Sequence, residues 1–312
     1  MRSTRAGRLT TLLTAMVAVS VSFLFPHDVC AETPDPVAGS IELGARGGSV
    51  TGGPARPASF EERAGAFEFS ARAGLASDYI YRGTTLSSHK PAAGAAFEAA
   101  FEKFYVGATV ASVVLPTQPT AELTFSSGLR PKLGSIDFDL GWTYFAYPGE
   151  LQGSNTEYWE TVIRGDTKIG ELFHIAGGFA YSPNVSNTGA WSRYAAFGVG
   201  VEMPRDALPK NITATVTGGA GYSWFGNQKA EFGGLPLPAY LNWNLGVTFG
   251  SGNARFDLRY YDTNLTKENC FVYTGDPRAK PGGNIDPTTN PDGLVSRWCG
   301  ATFVAKLWFA LN

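Results

Sequence analysis

Several side chains in the sequence have the types and spacing that chemistry requires. Two carboxylates, Asp137 and Asp139, stand two residues apart in IDFDLGWTYFAYP, and Ser87-Ser88-His89 places two hydroxyl groups next to an imidazole. Cys270 and Cys299 are two thiols in the C-terminal region. Neighbouring carboxylates can line a polar passage, a serine beside a histidine can form a nucleophile and its base, and two thiols of an exported protein can form a disulfide. Which of these applies depends on the elements that hold the residues.

The stretch IDFDLGWTYFAYP predicts a β-strand with two unlike faces. Ile136, Phe138 and Leu140 alternate with Asp137 and Asp139, and successive side chains of an extended chain point to opposite faces. The same alternation predicts twelve strands, near residues 65–82, 90–102, 104–114, 120–130, 134–147, 155–169, 171–182, 192–203, 211–225, 239–250, 253–263 and 298–311.

The lengths of these segments and of their connections favour a membrane barrel over a soluble β-sandwich. Most segments exceed the roughly five or six residues of a typical globular strand, and a tilted strand crosses a bilayer with about nine to eleven. Links after even-numbered segments are short (Lys103, Gly170, Ser251-Gly252), apart from residues 203–211, whereas links after odd-numbered segments are long, up to residues 264–297. This sorting of connections is typical of outer-membrane barrels. We therefore predict an all-β fold: a closed antiparallel transmembrane β-barrel of about twelve strands with up-and-down topology.

The N-terminus has the layout of a secretory signal peptide. Arg2, Arg5 and Arg8 precede an apolar run from Leu9 to Phe25, and Val29-Cys30-Ala31 offers a cleavage site. A lipid-modified Cys30 is the alternative, but the residues before it lack the small side chains that such a site requires. Export and cleavage near Ala31 are therefore expected.

The chain divides into three predicted parts. Residues 1–31 are the signal peptide, residues 32–64 form a flexible extension rich in Pro, Gly and Ala, and residues 65–312 form the barrel, which we place in a bacterial outer membrane. The formal net charge of −2 gives no reason to expect nucleic acid as a partner.

Ionisable side chains in the predicted strands share the face opposite the apolar side chains. At mid-bilayer, each Arg or Lys facing lipid would cost about 2–4 kcal/mol, so these residues are expected to face the lumen. They are Arg72, Asp78, Arg82, Glu98, Glu102, Glu122, Asp137, Asp139, Glu160, Arg164, Asp166, Lys168, His174, Arg255, Asp257 and Arg259. The interior is then either a narrow charge-lined pore or a closed, salt-bridged plug, and the sequence leaves both open.

Aromatic side chains on the apolar face predict girdles at the two membrane interfaces. The candidates are Tyr79, Tyr81, Trp142, Tyr144, Trp224, Trp243 and Phe309.

The block from Ser77 to Gly83, SDYIYRG, with the following TTLSSHKP, resembles the opening block of the TorF-like putative porin family. The resemblance is most specific over residues 65–115, weaker to about 150, and depends mainly on the strand pattern beyond. It implies a bacterial outer-membrane barrel with a pore role and names no substrate. Two features depart from the family pattern: the last loop, with its cysteine pair, is longer, and TTLSS replaces an Ile-Ser-Gln-Ser type of turn.

The strand pattern places Asp78 and Arg82 of this block on the inward face of the first strand. Four residues of extended chain separate them by about 13 Å, so each needs a partner on a neighbouring strand. They form either a charged constriction or a network that fixes strand register.

The remaining candidates indicate no catalytic site. A Ser-His dyad at His89 is one interpretation and a solvated loop histidine is the other, while His174 is expected to be a hydrogen-bonding group in the lumen. Cys270 and Cys299 predict a disulfide, with a metal site or a catalytic thiol as the alternative; the loop that they close could lie on the surface or fold inward. The sequence has no cluster with metal-ligand spacing, so we expect no metal, no cofactor and no enzyme activity.

The sequence thus predicts a channel for passive diffusion of small polar solutes or ions. The rival is a non-conducting structural or surface-binding barrel that acts through its long loops. Expected partners are outer-membrane lipid, the solutes and, during biogenesis, the barrel-assembly machinery; the oligomeric state is open.

Overall fold

The structure, a computed structural model, describes residues 67–311 apart from Glu171 and Gly233. The predicted signal peptide (1–31) and extension (32–64) lie outside the described residues and remain predictions. Within the described part, no helix has both the length and the apolar character needed to cross a membrane.

Most of the regular secondary structure of the described chain is β-strand. In chain order, the strands of the first half are β1 Phe67–Ala76, β2 Ile80–Tyr81, β3 Thr84–Thr85, β4 Ala92–Phe101, β5 Phe104–Ala111, β6 Glu122–Leu129, β7 Lys132–Leu133, β8 Ile136–Ala146 and β9 Tyr158–Ile169. The second half contains β10 Phe173–Ser182, β11 Ser192–Glu202, β12 Thr213–Phe225, β13 Tyr240–Ser251, β14 Ala254–Thr263, the helix α1 Lys267–Thr274, β15 Lys280–Pro281, β16 Leu294–Val295 and β17 Thr302–Leu311. Short 3-10 helices occupy Val185–Asn187, Arg205–Ala207 and Ala230–Phe232.

Twelve long strands form one closed antiparallel barrel. Each pairs with its neighbours along the chain, and β17 pairs with both β14 and β1, which closes the cylinder. Beyond Arg130, where β6 has ended, the short strand β7 pairs with β8. Closure leaves no unpaired strand edge, as a bilayer requires. The predicted fold class is confirmed.

The two faces of the barrel wall differ as the alternation predicts. Outward side chains include Leu245 (60% exposed), Phe197 and Ile163, whereas Glu160 and Asp257 face inward and are fully buried. An apolar outer wall is the surface that lipid tails accept without loss of hydrogen bonds. The barrel therefore has the form of an outer-membrane protein.

Connections differ at the two ends of the barrel, which we call the loop end and the turn end. The loop end carries L1 (77–91), L2 (112–121), L3 (147–157), L4 (183–191), L5 (226–239) and L6 (264–301). The turn end has tight links such as residues 102–103 and 252–253, with residues 203–212 as the longest.

The first predicted strand extends too far. It was expected over 65–82, but β1 ends at Ala76, and Ile80–Tyr81 pairs with Thr84–Thr85 in a small hairpin of its own. Alternation alone could not reveal this, because a hairpin that folds into the barrel keeps the same period as a strand in the wall. The other eleven strands lie within a few residues of their predicted positions.

Candidate functional site

L1 enters the lumen at the loop end instead of extending outward. Its residues 78–88 are all buried. The Tyr79 hydroxyl donates to Glu122 Oε1 on β6 (2.8 Å), and the guanidinium of Arg82 forms a bidentate ion pair with Glu160 on β9 (2.8 and 3.2 Å). Since β9 lies almost opposite β1 in the order of strands around the barrel, L1 reaches across the lumen.

The placement of Tyr79 and Tyr81 corrects the girdle prediction. Both rings are buried, and the Tyr81 hydroxyl lies 3.4 Å from Glu160 Oε2 inside the barrel. Asp78 and Arg82 are inside as predicted, but on L1 and not on a strand of the wall. The prediction for the tyrosines was wrong because it extended the parity of β1 past Ala76, where the chain turns inward.

The Arg82 guanidinium is held from several sides. Besides Glu160, its Cζ lies 4.3 Å from the ring centroid of Tyr194 and 4.7 Å from that of Tyr81. A buried charge is stable only when paired and hydrogen-bonded, and cation–π contacts add to the pair. These contacts fix the tip of L1 inside the barrel, next to β9 and β11.

Gly83 follows Arg82 at the closest approach of L1 to the wall. It has a φ of +82°, and a Cβ placed there would lie 2.4 Å from Thr263 Cγ2 and 2.9 Å from Asn242 Cβ. Both the backbone conformation and the space therefore require glycine at this position. The SDYIYRG block is thus the segment that crosses the lumen.

Asp78 organises the returning half of L1. Its Oδ1 accepts from the Thr85 hydroxyl (2.5 Å) and the Ser87 hydroxyl (2.8 Å), and its Oδ2 lies 2.7 Å from His89 Nδ1. The Nε2 of His89 faces the carbonyl oxygen of Arg297 on L6 at 3.1 Å. Because both ring nitrogens face acceptors, His89 fits this site best as an imidazolium. The hydrogen bond to Asp78 accordingly raises the pKa of His89 above 6.5.

The contacts of His89 agree fully with neither of the two interpretations that the sequence suggested. His89 is an exposed loop residue, as the interpretation of a solvated loop histidine expects, but its ring also links L1 to L6. It does not form a Ser-His dyad in this structure, because both nitrogens are directed at Asp78 and Arg297 and not at Ser87 or Ser88. A general base needs a ring nitrogen beside its nucleophile.

A second charged cluster lines the barrel nearer the turn end. Arg130 and Glu98 form a bidentate pair (2.5 and 2.8 Å), and the ring of Tyr105 lies 3.9 Å from Arg130 Cζ. Asp139 accepts from the Tyr105 hydroxyl (2.8 Å) and lies 3.8 Å from Arg164 Nη1. Like Glu98, these side chains lie on the inner face of the wall.

Arg72 on β1 also faces inward, close enough to Glu98 and Arg130 for their charges to act on it. It makes no hydrogen bond or ion pair with another of the described residues. Arg72 is therefore a half-buried lumen cation that lies within the electrostatic influence of Glu98 and Arg130.

A third cluster lies on the wall formed by β12 to β17. Arg259 donates to Asp257 (2.9 Å), to the Thr217 hydroxyl (2.7 Å) and to Asn244 Oδ1 (2.8 Å). Arg259 and Asp257 are both almost completely inaccessible to solvent. Because these buried groups are hydrogen-bonded to several strands, the cluster fixes the strand register and stabilises the buried charges.

The remaining predicted lumen residues lie near the turn end. Lys168 and His174 both contact Glu202 Oε1, at 3.3 and 3.1 Å. Asp137 lies 3.6 Å from Lys132 Nζ, an exposed pair. Asp166 on β9 faces inward, and Arg255 Nη1 donates to backbone carbonyl oxygens at residues 252 and 254 (2.5 and 2.9 Å).

Glu102 is the exception among the predicted lumen residues. It is exposed in the turn between β4 and β5, with a φ of +52°. The prediction was wrong because the strand parity ends at Phe101, where the chain reverses.

The other girdle candidates lie on the outer face of the wall: Trp142, Tyr144, Trp224, Trp243 and Phe309. Trp142 and Tyr144 stack with ring centroids 6.1 Å apart. Their depth in a membrane stays a prediction.

The predicted disulfide forms between Cys270 on α1 and Cys299, near the end of L6. Trp298 and Leu265 pack against it. Across the described residues, no group of three or more His, Cys, Asp or Glu side chains is placed to hold a metal ion.

Sequence analysis missed several inward residues: Tyr105, Arg130, Glu202 and Lys306. Lys306 donates to the Tyr261 hydroxyl (2.7 Å), and it has the parity opposite to Leu307 and Phe309, so the pattern could have revealed it. Arg130 carries no such signal, because it lies between β6 and β7, beyond the alternating segment.

A protein-family model described as "Bacterial protein of unknown function (Gcw_chp)" matches residues 61–282. The chain belongs to this family. Its description assigns no function, and the TorF-like resemblance stays a prediction. No curated protein matches the Gcw_chp chain.

Solved structures with similar folds are outer-membrane proteins of low identity. They include the KdgM porin (7% identity, TM-score 0.42, covering 79% of this chain and 100% of that one) and LpxR from Salmonella typhimurium (7%, 0.37, 78% and 99%). A third is outer-membrane expressed OmpT of Vibrio cholerae (10%, 0.35, 81% and 99%). These likenesses add nothing to the barrel that the strand pairing already establishes.

Proposed function

We propose that this protein is a bacterial outer-membrane channel of the TorF-like putative porin type, which passes small polar solutes or ions by diffusion. The observation that carries the proposal is the contrast between the two faces of the wall: lipid-compatible outside, charged and hydrogen-bonding inside. A barrel that served only to anchor loops would need no inward cation that lacks a hydrogen bond or ion pair, and Arg72 makes neither with the residues that the structure describes. Export by the predicted signal peptide, contact with outer-membrane lipid and insertion by the barrel-assembly machinery belong to the same proposal.

L1 makes this channel narrow. It enters the lumen from the loop end and is anchored to Glu122 and Glu160. Charged groups in a constriction select permeating ions by sign, so Arg72 and the cluster around Glu98 would set selectivity on the turn-end side of L1.

Planar-bilayer recording of the refolded protein tests the proposal. Wild type is expected to give single-channel currents, and Arg72→Glu is expected to shift the reversal potential in a salt gradient toward cation preference. Arg205→Glu makes the same change of charge on the exposed turn between β11 and β12, and it should leave the reversal potential near the wild-type value. Equal shifts in the two variants would remove Arg72 from the selectivity of the channel.

A second candidate function is a non-conducting barrel, favoured by the buried anchors of L1. Absence of current from wild type at every voltage would support it and overturn the channel. In that case a variant without the L1 anchors, Arg82→Ala with Glu160→Ala, would show whether L1 alone closes the barrel. An enzyme would instead show hydrolysis in an esterase or protease screen that His89→Ala abolishes, a result that contradicts both candidates.

A further inference from the structure

L1 and L6 enclose a cleft of about 460 Å³ at the loop end, within the range of roughly 300–1,000 Å³ of small-molecule sites. Its lining combines His89 from L1 with residues of L6, among them Lys267, Arg297 and Leu265, together with Cys270 and Cys299.

The polar part of the lining is cationic. Lys267 and Arg297 are exposed, and neither side chain makes a hydrogen bond or ion pair with another residue that the structure describes. His89 adds a third positive charge, because its ring nitrogens face Asp78 and the carbonyl oxygen of Arg297.

Two nearby carboxylates, Asp78 and Asp276, are buried behind this surface and already bonded, whereas Glu268, next to Lys267 in the chain, is half-buried and accepts from the backbone N–H of Asn284 (3.3 Å). Asp78 accepts from L1 hydroxyls and faces His89, while Asp276 accepts from the Ser296 hydroxyl (2.8 Å) and from the backbone N–H of Arg278 (2.9 Å). No Asp or Glu is among the residues that line the cleft. A negatively charged ligand would therefore meet two exposed cations and no carboxylate within the lining itself.

Apart from Ser296 and Thr302, the rest of the lining is apolar: Leu265, Ala301, Gly300 and the disulfide cysteines. Leu265 and Trp298 pack with Cys270 and Cys299 in one cluster, and the covalent link joins α1 to the C-terminal end of L6. L6 is held to L1 by the hydrogen bond from the backbone N–H of Thr85 to the Trp298 carbonyl oxygen (2.9 Å). A preorganised wall lowers the entropy cost of binding. The apolar wall also favours a ligand with an organic body over a bare inorganic ion.

We propose that this cleft binds a small soluble organic anion, a carboxylate or phosphate attached to an apolar body. The site goes beyond the proposed channel, because binding at the loop end requires no conduction. Lys267 and Arg297 contact the anionic group, His89 contributes charge, and the wall of Leu265 and the disulfide contacts the body.

Titration calorimetry of the full chain in a nonionic detergent tests the site with phenyl phosphate as the probe. Inorganic phosphate carries the charge without the body, and benzyl alcohol carries the body without the charge. Phenyl phosphate is expected to bind more tightly than either. Arg297→Gln and Lys267→Gln should each weaken it about tenfold, as the loss of a charge-assisted contact does.

Lys280→Gln is the matched control, since it removes an exposed L6 cation that does not line the cleft. It should bind phenyl phosphate as wild type does. The proposal is overturned by absence of binding to wild type at millimolar concentration, by equal affinity in wild type and both cleft variants, or by a loss in Lys280→Gln equal to theirs. Heat modifiability on gels verifies that each variant is a folded barrel, and none of these outcomes depends on whether the protein conducts.

Discussion

L1 and L6 both lie at the loop end of the barrel, but different interactions hold them in place. L1 is short, buried, and anchored by charges: Arg82 to Glu160 and Tyr79 to Glu122. L6 is long and largely exposed, and it is anchored by a disulfide and an eight-residue helix. A loop that enters a closed lumen can use the polar groups of the wall, whereas a loop outside must be restrained within itself. Four variants test this contrast, and their expected effects decrease in the order given.

Glu160→Ala should have the largest effect, because it leaves the buried Arg82 guanidinium without its counter-charge. Breaking one side of a buried pair costs about 3–5 kcal/mol, and we expect this loss in the free energy of unfolding by urea in detergent. The double variant with Arg82→Ala should lose less than the sum of the single variants. Additive losses would show that the pair does not hold L1. Lys132→Ala, at an exposed ion pair, is the control and should change stability by less than about 1 kcal/mol.

Replacing Cys270 and Cys299 by serine tests the anchor of L6. The cross-link spans a sequence separation of 29 residues, and the chain-entropy model gives about 3 kcal/mol for a loop of this size. We expect that loss of unfolding free energy, together with early proteolysis within residues 264–301 and protection of L1. Proteolysis of L1 at the same rate would mean that the two loops are not independently anchored.

Gly83→Ala tests the packing of L1 against the barrel wall. A Cβ there meets Thr263 and Asn242 and also sits at a φ of +82°, so we expect a loss of about 1–3 kcal/mol. Gly153→Ala is the matched control, because Gly153 has a φ of +89° but no atom within 4 Å of the added Cβ. The difference between the two measured losses isolates packing against the wall from backbone strain, and equal losses would contradict close packing of L1.

His89→Gln tests the contact between the two loops and should have the smallest effect. Since Asp78 raises the pKa of His89 above 6.5, the stabilisation is complete below the unfolded pKa and disappears as the pH rises through the folded pKa. The side chain is 38% exposed, which limits the contribution to under about 1 kcal/mol. Urea unfolding at several pH values should show wild type above the variant at pH 5–6 and equal to it well above the folded pKa of His89, as linkage requires. If the difference in unfolding free energy between wild type and variant increased with pH, the assignment of a protonated His89 in the folded state would be wrong.

The strand pattern predicted most of the fold because its cause is local. In IDFDLGWTYFAYP, the alternation of Ile136, Asp137 and Phe138 already separates lipid-compatible from polar faces, and the same parity correctly places Glu98, Glu160 and Asp257 inside. It failed at Ala76 and at Phe101, where the chain leaves the wall. Parity says which face a side chain takes only while the backbone remains a strand of that wall.

The barrel could be predicted from the sequence, with its strand number, antiparallel order, loop and turn ends, the cysteine pair and most of its inward charges, although Glu102 was misplaced and Arg130, Glu202 and Lys306 were missed. The three-dimensional fold was needed to show that SDYIYRG enters the lumen, that Arg82 meets Glu160 78 residues away, and that His89 links L1 to L6. The physical reason is the distance along the chain between the residues that interact. The alternation of a strand involves only side chains that are neighbours in the sequence. The partner of a buried charge is a residue on a distant strand, and it is known only once the barrel has closed.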